Sequence, residues 1–356
     1  MTWDEMYVWL LLTGYRTLLR PVLFSQDPER IHEWTIKTLA ALPKPVRAVL
    51  PLLLGKPRNP LEVAGINFPG RVGLAAGLDK DATAARVWAP LGFGFAELGT
   101  VTAQPQPGND KPRSFRLVTS SALINRMGFN NPGAHQVAQT LAAYGMVRGS
   151  NRCPIGISIG KTKVVPLSDA VADYLVGLRT LAPYADYIAV NVSSPNTAGL
   201  RQLQQKAQLA ELLAALTTEA TLLSPDNPVP IFVKIAPDLS EAEIDEVVTV
   251  CEQEHVAGII ATNTTLTRPE IAPIDAAKAA ESGGLSGAPL TALALALVRR
   301  ITSRTQLPVL ASGGIMTPAD AQAMFDAGAV LLQVYTGFIF NGPAVIAGIN
   351  RLSKPR

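Results

Sequence analysis

Residues that could do chemistry are concentrated at 187–197, which read Tyr-Ile-Ala-Val-Asn-Val-Ser-Ser-Pro-Asn-Thr. The first half carries the β-branched and aromatic side chains typical of a buried strand. The second half supplies Asn191, Ser194 and Asn196, and polar residues at the carboxyl end of a buried strand commonly meet ligands in α/β proteins. An asparagine both donates and accepts, so the cluster suits a flat ligand with amide edges, although these residue types also form ordinary turns.

Eight short apolar or β-rich runs position this cluster and others like it, at residues 72–75, 95–99, 154–159, 187–192, 231–235, 258–262, 309–312 and 331–335. Apolar residues at helical spacing fill most intervals, as at 209–223 and 290–300, and capping signals begin helices after Ser240 and Thr317. Eight alternating units over about 290 residues predict a closed (β/α)8 barrel of the α/β class. An open doubly wound sheet is the alternative, but no Gly-x-Gly-x-x-Gly follows the first run.

Two segments fall outside this repeat. Residues 1–57 carry two short amphipathic patterns with aromatic residues and arginines, at 7–24 and 31–42. They predict a small N-terminal helical extension, which either lies in a membrane surface or caps the floor of a barrel formed by residues 58–356. The long interval 101–153 contains an amide-rich stretch at 125–132, which predicts a lid or a binding loop.

Composition narrows the possible partners. The chain is 48% hydrophobic and 17% charged, which fits many buried parallel strands or contact with a membrane. Lysine plus arginine exceeds aspartate plus glutamate by 31 − 28 = 3, too little to favour nucleic acid. The two cysteines and three histidines are scattered, so we expect neither a metal site nor a disulfide, and no sequence pattern indicates an obligate protein partner.

Small polar residues, glycines and lysines follow every one of the eight runs, and in a barrel these ends converge on one face. After the seventh run, Gly313 and Gly314 would let the backbone approach an anion, with the helix opened by Thr317 and Pro318 just beyond. A phosphorylated substrate and flavin mononucleotide (FMN) both fit that pattern. The residues at the other ends are Ala76, Gly77, Leu78, Asp79, Lys80, Thr100, Ser158, Asn191, Lys234, Thr262, Asn263, Thr264, Tyr335 and Thr336.

Lys234 is the conspicuous charge, because it interrupts an apolar strand at 231–235 and burial of an unpaired ammonium is costly. Two uses compete: a Schiff-base nucleophile, or a fixed positive charge facing a reduced cofactor. Lys80 follows Asp79 and could instead be ion-paired with it.

The chain resembles the class 2 dihydroorotate dehydrogenases, the quinone-dependent flavoenzymes of pyrimidine synthesis. The matching stretches lie at residues 27–32, 73–80, 99–109, 124–131, 191–196, 233–238, 261–265, 283–287 and 334–337. The resemblance implies a barrel that binds one FMN, oxidises (S)-dihydroorotate to orotate and passes electrons to a membrane quinone. With an acidic N-terminus that lacks the basic lead of a signal peptide, it implies peripheral attachment to the cytoplasmic face of a bacterial inner membrane.

The resemblance also implies roles for residues at matching positions. Ser194 would be the catalytic base, aided by a chain of hydroxyls or water through a threonine of the second strand or the lid, and Lys234 would stabilise reduced flavin. Ser158 stands where the resemblance leads us to expect an asparagine among the FMN contacts, and it is the candidate contact from the third run. The implied FMN contacts are Ala76, Gly77, Leu78, Asp79, Lys80, Thr100, Asn191, Lys234, Thr262, Gly287, Gly314, Tyr335 and Thr336. The implied substrate contacts are Lys80, Asn125, Arg126, Met127, Gly128, Phe129, Asn191, Asn196, Asn263 and Thr264, and the implied quinone contacts are His32, Arg116 and Tyr335.

Overall fold

The structure is a computed structural model that describes residues 2–151 and 153–352. Its strands are β1 (Leu61–Val63), β2 (Ile66–Phe68), β3 (Val72–Leu74), β4 (Phe95–Val101), β5 (Ser114–Leu117), β6 (Ala122–Asn125), β7 (Ile155–Ile159), β8 (Tyr187–Asn191), β9 (Ile231–Ile235), β10 (Gly258–Ala261), β11 (Gly284–Gly287), β12 (Val309–Ser312) and β13 (Leu331–Val334).

The helices surround these strands, and a π-helical turn, Tyr15–Leu19, joins the first two. They are α1 (Trp3–Gly14), α2 (Arg20–Phe24), α3 (Pro28–Ala40), α4 (Lys44–Leu54), α5 (Ala134–Ala143), α6 (Ala170–Leu181), α7 (Lys206–Leu223), α8 (Glu241–Gln253), α9 (Ala276–Ala279), α10 (Thr291–Thr302), α11 (Pro318–Asp326), α12 (Thr336–Asn341) and α13 (Pro343–Ile349). Short 3₁₀ turns lie at Leu167–Asp169, Leu200–Gln204, Pro273–Asp275 and Ala288–Leu290.

Within the described residues, β3, β4, β7, β8, β9, β10, β12 and β13 form a closed barrel in that order, and their paired neighbours run parallel. The predicted (β/α)8 barrel is therefore confirmed, and each of the eight apolar runs forms one barrel strand. The capping boxes predicted at Ser240 and Thr317 are also present, and they begin α8 and α11.

An apolar plug closes the floor of the barrel. The antiparallel hairpin of β1 and β2 brings Val63 and Phe68 against inward-facing residues of the barrel, and the Phe68 ring meets Phe95 edge to face at 5.2 Å. This hairpin was not predicted, because two strands of three residues give too short a pattern to detect. The alternative in which the N-terminal helices cap the floor is therefore wrong.

The N-terminal segment instead packs beside the opposite, ligand-facing end. The Tyr15 hydroxyl donates to the Ile339 carbonyl at 2.7 Å, and Arg16 donates to the Asn341 side chain, so the segment rests on α12. Two helices were predicted there, and the structure adds α4, whose interior Pro51 weakened the helical pattern. The division at residue 57 remains a prediction.

The long interval at 101–153 is more ordered than a loop. It contains β5 and β6, which pair with β11 in an antiparallel three-stranded sheet, followed by α5. The amide-rich stretch at 125–132 leaves the end of β6 and crosses the mouth of the barrel. The sheet thus holds the predicted loop over the strand ends.

Candidate active site

A cavity opens at the carboxyl ends of the barrel strands, and most of the predicted site residues form its wall. Each barrel strand or the loop that follows it contributes, except that β7 contributes through contacts behind the wall. The predicted residues in the wall are Ala76, Gly77, Lys80, Thr100, Asn125, Met127, Gly128, Phe129, Asn191, Ser194, Asn196, Lys234, Thr262, Asn263, Thr264, Gly287, Gly314, Tyr335 and Thr336.

A hydrogen-bonded network orients the amides on one side of this cavity. Asn191 Nδ2 donates to Thr100 Oγ1 at 2.9 Å, and Thr100 Oγ1 lies 2.9 Å from Ser158 Oγ. On the other side, Asn263 Nδ2 donates to Asn191 Oδ1 at 3.3 Å and to Ser193 Oγ at 2.9 Å. Because each amide is held by a neighbour, its remaining donors and acceptors have fixed directions for a ligand.

A second set of amides comes from the loop over the mouth. Asn196 Nδ2 donates to the backbone and side-chain oxygens of Asn125 at 3.1 and 3.3 Å, and Lys80 Nζ donates to Asn130 Oδ1 at 3.0 Å. Burial, followed by the positive charge of Arg113, lowers the pKa of Lys80 to about 8. Lys80 forms no ion pair with Asp79, so the alternative in which Asp79 neutralises it is not supported.

Ser194 lies in this wall and is 6% exposed. Its Oγ accepts a hydrogen bond from the backbone N–H of Asn196 at 3.3 Å, and no histidine or carboxylate of the described residues bonds to it. Three residues further on, the buried Thr197 hydroxyl has no hydrogen-bond partner within the described chain. The sequence analysis did not assign a role to Thr197. The available signal was its position directly after Asn196, at the end of the polar cluster.

Lys234 is paired, which the sequence analysis did not foresee. Its Nζ lies 3.5 Å from Oε1 of Glu97, a fully buried residue of β4. Glu97 interrupts an apolar strand just as Lys234 does, so the same signal could have found it. The ion pair with Glu97 favours the fixed-charge interpretation of Lys234 over a Schiff-base nucleophile.

Glycines shape the far end of the cavity. Gly313 and Gly314 have φ of +97° and +70°, and a Cβ on Gly314 would lie 2.3 Å from Thr291 Cα. The start of α11 is not part of this glycine-lined end of the cavity. Asp320 already accepts hydrogen bonds from the backbone N–H groups of Met316 and Thr317. An anion at this end would therefore meet the glycine backbone and not the helix that the sequence suggested.

Four of the predicted flavin and substrate contacts lie outside the wall. Asp79 accepts from the Ala84 backbone N–H and the Trp88 indole, and burial raises its pKa to about 6. Arg126 pairs with Glu281 at 2.7 Å. Leu78 faces a second cavity, and Ser158 reaches the first one only through Thr100. Wall residues that the sequence did not indicate are Ala75, Ser286, Leu290, Ile315, Met316 and Gln333.

The second cavity is mostly apolar and lies between the N-terminal helices and the barrel. His32 and Arg116 line it, and Tyr335 lines both cavities. Burial and the nearby charge of Lys80 lower the pKa of His32 to about 4, so this imidazole is neutral at neutral pH. The Arg116 guanidinium donates to the Gln26 carbonyl and lies 4.7 Å from the centroid of the Phe24 ring, so it also anchors α2.

Lys80, Asn125, Met127, Ser286 and Tyr335 form the partition between the two cavities, since each lines both. Burial raises the pKa of Tyr335 to about 12, which keeps its hydroxyl protonated. A group in the second cavity is therefore separated from one in the first by single side chains.

Comparisons with known proteins agree with this architecture. A family model described as dihydroorotate dehydrogenase matches residues 60–353. A protein from Chloroflexus aurantiacus named dihydroorotate dehydrogenase (quinone) is 50% identical over 351 residues, which is 95% of each chain. One of the same name from Salinispora arenicola is 50% identical over 339 residues, covering 93% of this chain and 96% of the relative. The crystal structure of Eimeria tenella DHODH in complex with ferulenol superimposes with a TM-score of 0.82 at 36% identity, covering 94% of this chain and 93% of that one.

Proposed function

The chain belongs to the dihydroorotate dehydrogenase family, and from that premise we propose that it oxidises (S)-dihydroorotate to orotate and passes the electrons to a quinone, as a step of pyrimidine synthesis. The observation that carries the proposal is the pair of adjoining cavities, one lined by oriented amides and lysines and one apolar, with a partition of single side chains.

We propose one FMN in the first cavity, held through Ala76, Gly77, Lys80, Thr100, Asn191, Lys234, Thr262, Gly287, Gly314, Tyr335 and Thr336, with Ser158 acting through Thr100. Leu78 and Asp79 lie outside the cavity wall, so their side chains are not part of this proposal. The residues fit this group: the positive φ of Gly313 and Gly314 lets the backbone approach a phosphate, and Gln333, a residue of the cavity wall, has a buried Oε1 with no partner among the described residues. FMN, when bound, supplies a hydride acceptor that can release its electrons singly or in pairs.

The substrate would lie beneath the amide-rich loop, contacted by Lys80, Asn125 to Phe129, Asn191, Asn196, Asn263 and Thr264. Dihydroorotate has amide edges that both donate and accept, and a carboxylate. The asparagines match the former and the Lys80 ammonium matches the latter. Arg126 is turned toward Glu281 and contributes only its backbone to this loop.

Ser194 removes the proton from substrate C5 as hydride leaves C6. A serine hydroxyl is a weak base unless its own proton can move on. The buried, unpartnered hydroxyl of Thr197 is the candidate for the next position in that transfer. Thr197 lies three residues after Ser194, not in the second strand or the lid where the sequence analysis placed such a threonine.

The second cavity would receive the quinone ring, with His32, Arg116 and Tyr335 as its polar contacts. An apolar wall suits a quinone and its hydrocarbon tail. Only the partition side chains separate the two occupants, which keeps the electron-transfer distance short.

We propose that residues 1–57 attach the protein peripherally to the cytoplasmic face of a bacterial inner membrane, while residues 58–356 form the catalytic barrel. No helix of the described chain is long and apolar enough to cross a membrane. The N-terminal helices expose large apolar side chains, as expected of helices that lie in an interface: Trp3, Trp9, Leu10, Leu18, Leu19, Val22, Trp34, Val46, Val49, Leu52 and Leu53.

The test is steady-state orotate formation by purified protein reconstituted with FMN, with a soluble quinone, NAD⁺ or fumarate as the acceptor. We expect turnover with the quinone and little with the other two. Turnover that requires NAD⁺ or fumarate would overturn the proposed acceptor, and no orotate with any acceptor would overturn the proposed reaction.

A further inference from the structure

Four polar side chains share the interior of the barrel below the first cavity: Glu97 of β4, Tyr187 of β8, Lys234 of β9 and Gln333 of β13. All are 5% exposed or less. Burial of charge is costly unless it is paired, so a fully buried carboxylate and a buried ammonium in one cluster require each other.

The carboxylate of Glu97 is the centre of this cluster. Its Oε2 accepts from Gln333 Nε2 at 2.6 Å and from the Tyr187 hydroxyl at 3.2 Å. Its Oε1 accepts no hydrogen bond within the described chain and lies 3.5 Å from Lys234 Nζ. Burial and the negative charge of Glu97 hold the pKa of Tyr187 well above its usual value, so Tyr187 remains a donor.

A missing side chain makes this arrangement possible. Glu97 is paired across the sheet with Gly156, which is paired in turn with Tyr187. A Cβ on Gly156 would lie 2.0 Å from the Tyr187 ring. Tyr187 can therefore lie across β7 and reach the Glu97 carboxylate.

The four side chains of the cluster lie at two depths relative to the cavity. Lys234 and Gln333 line the cavity wall, whereas Glu97 and Tyr187 lie behind it. No other carboxylate of the described residues forms an ion pair with Lys234. The lysine thus stands between the Glu97 carboxylate and whatever fills the cavity. The 3.5 Å between Lys234 Nζ and Glu97 Oε1 is too long for a good hydrogen bond, so the ammonium can still donate to a ligand.

On the premise of the proposed function, we propose that Glu97 is a positioning residue that holds Lys234 and offsets its charge, and thereby lowers the reduction potential of the bound flavin. Hydride transfer adds two electrons and one proton, so the flavin gains one negative charge. An unopposed Lys234 would attract that charge strongly and retain the electrons. With Glu97 behind it, the net charge of the pair is zero, and the electrons pass more readily to the quinone.

The experiment measures the midpoint potential of FMN in the full-length protein by equilibration with redox dyes, for the wild type, Glu97→Gln, Glu97→Asp and Tyr187→Phe. We expect Glu97→Gln to raise the potential so that the reduction equilibrium shifts at least about tenfold, which is about 30 mV for a two-electron couple. Glu97→Asp keeps the charge farther from Lys234 and should raise the potential less. Tyr187→Phe removes a donor to the same carboxylate without changing a charge, and should shift the potential least.

A Glu97→Gln protein that binds FMN with an unchanged or lower potential would overturn the inference. If that variant does not fold, Glu97→Asp decides: a rise supports the inference, and an unchanged or lower potential contradicts it. Failure of the proposed function is separate, because the wild type itself would then not be reduced by dihydroorotate. If the wild type is reduced normally while the variants match its potential, only the role of Glu97 is wrong.

Discussion

Arg113 and Glu29 form a buried ion pair that joins the N-terminal segment to the barrel. Arg113 donates to the Glu29 carboxylate through Nε at 3.1 and 3.2 Å and through Nη2 at 2.7 Å. Its Nη1 donates to the carbonyls of Pro107 and Asn109, each at 2.7 Å. Helix α3 and the loop before β5 are therefore fixed to each other, and α3 forms one wall of the second cavity.

Glu29→Gln should impair quinone reduction more than dihydroorotate oxidation. Breaking a buried pair costs about 3–5 kcal/mol because it leaves an uncompensated charge, here on Arg113. We expect flavin reoxidation by quinone to slow at least about tenfold, while flavin reduction changes by less than about twofold. Stopped-flow measurement of the two half-reactions separates these effects. The matched control is Glu33→Gln on the same helix, since Glu33 is exposed and lies 3.5 Å from Lys111. Equal loss in both half-reactions would contradict this role.

Acid should release the N-terminal segment. Burial alone would raise the pKa of Glu29, but hydrogen bonds and charge from Arg113 and Lys111 lower it below its usual value of 4.5. The stabilising contribution is thus complete above pH 4.5 and is lost as the pH falls through the lower folded value. Limited proteolysis across this range should show cleavage within residues 1–57 before the barrel is cut. Glu29→Gln should be cleaved there at neutral pH as well, and resistance of that variant would exclude the ion pair as the cause.

Orotate affinity should depend on the protonation of Lys80. The protonated lysine binds a carboxylate, and its pKa is about 8 because it is buried. We therefore expect orotate to bind tightly below about pH 8 and to lose at most about tenfold in affinity per pH unit above it. Calorimetric titration at several pH values measures this. Lys80→Met should bind orotate weakly and without that pH dependence, and a flat profile in the wild type would contradict the assignment.

Ser194→Ala should abolish flavin reduction while FMN stays bound. Loss of a general base costs about 10²- to 10⁴-fold in rate. Thr197→Val should give a smaller loss if its hydroxyl relays the proton. The neighbouring Ser193→Ala is the comparison, because the Ser193 hydroxyl bonds to Asn191 and Asn263 and should affect substrate binding more than the rate. Rapid-reaction kinetics under anaerobic conditions distinguish these cases, and near-normal reduction in Ser194→Ala would refute the role of the serine.

Charge placed on α4 should detach the protein from membranes. The Tyr7 hydroxyl donates to the Leu53 carbonyl, so α1 and α4 lie together, and Leu52 and Leu53 are 76% and 58% exposed. Leu52→Glu combined with Leu53→Glu should sharply reduce co-flotation with anionic vesicles. Leu222→Glu on α7, where the leucine is 71% exposed, is the control and should not change flotation. If the α4 variant and the α7 control reduced flotation equally, the protein would be adsorbing through any exposed apolar residue, which would contradict attachment through the N-terminal helices.

The barrel could be predicted from sequence because each of its strands is buried on both faces and reads as a mostly apolar run. The same rule failed for β5, β6 and β11, which are short, antiparallel and partly exposed, so their pattern does not differ from that of a loop. Helix α4 was missed because Pro51 lies inside it.

The positions of the strand-end residues followed from topology, since every parallel strand of a barrel ends at the same mouth. Pairings between side chains did not follow, because they depend on which residues of distant strands face each other. Lys234 was recognised as unusual, but its partner Glu97 is separated from it by 137 residues in sequence (234 − 97 = 137). The pairing of the two side chains is visible only in the closed barrel. The ion pair of Arg113 with Glu29 was missed for the same reason.

The central claim is that one flavin in the amide-lined cavity takes hydride from dihydroorotate and gives its electrons to a quinone in the adjoining cavity. The most direct measurement is an anaerobic two-step stopped-flow experiment on the FMN-loaded protein. Dihydroorotate should bleach the visible flavin absorbance in one phase with release of one orotate per flavin, and a soluble quinone should then restore it completely. Flavin that stays oxidised in the presence of dihydroorotate would contradict the claim. Reduced flavin that the quinone fails to reoxidise in the absence of NAD⁺ would contradict it as well.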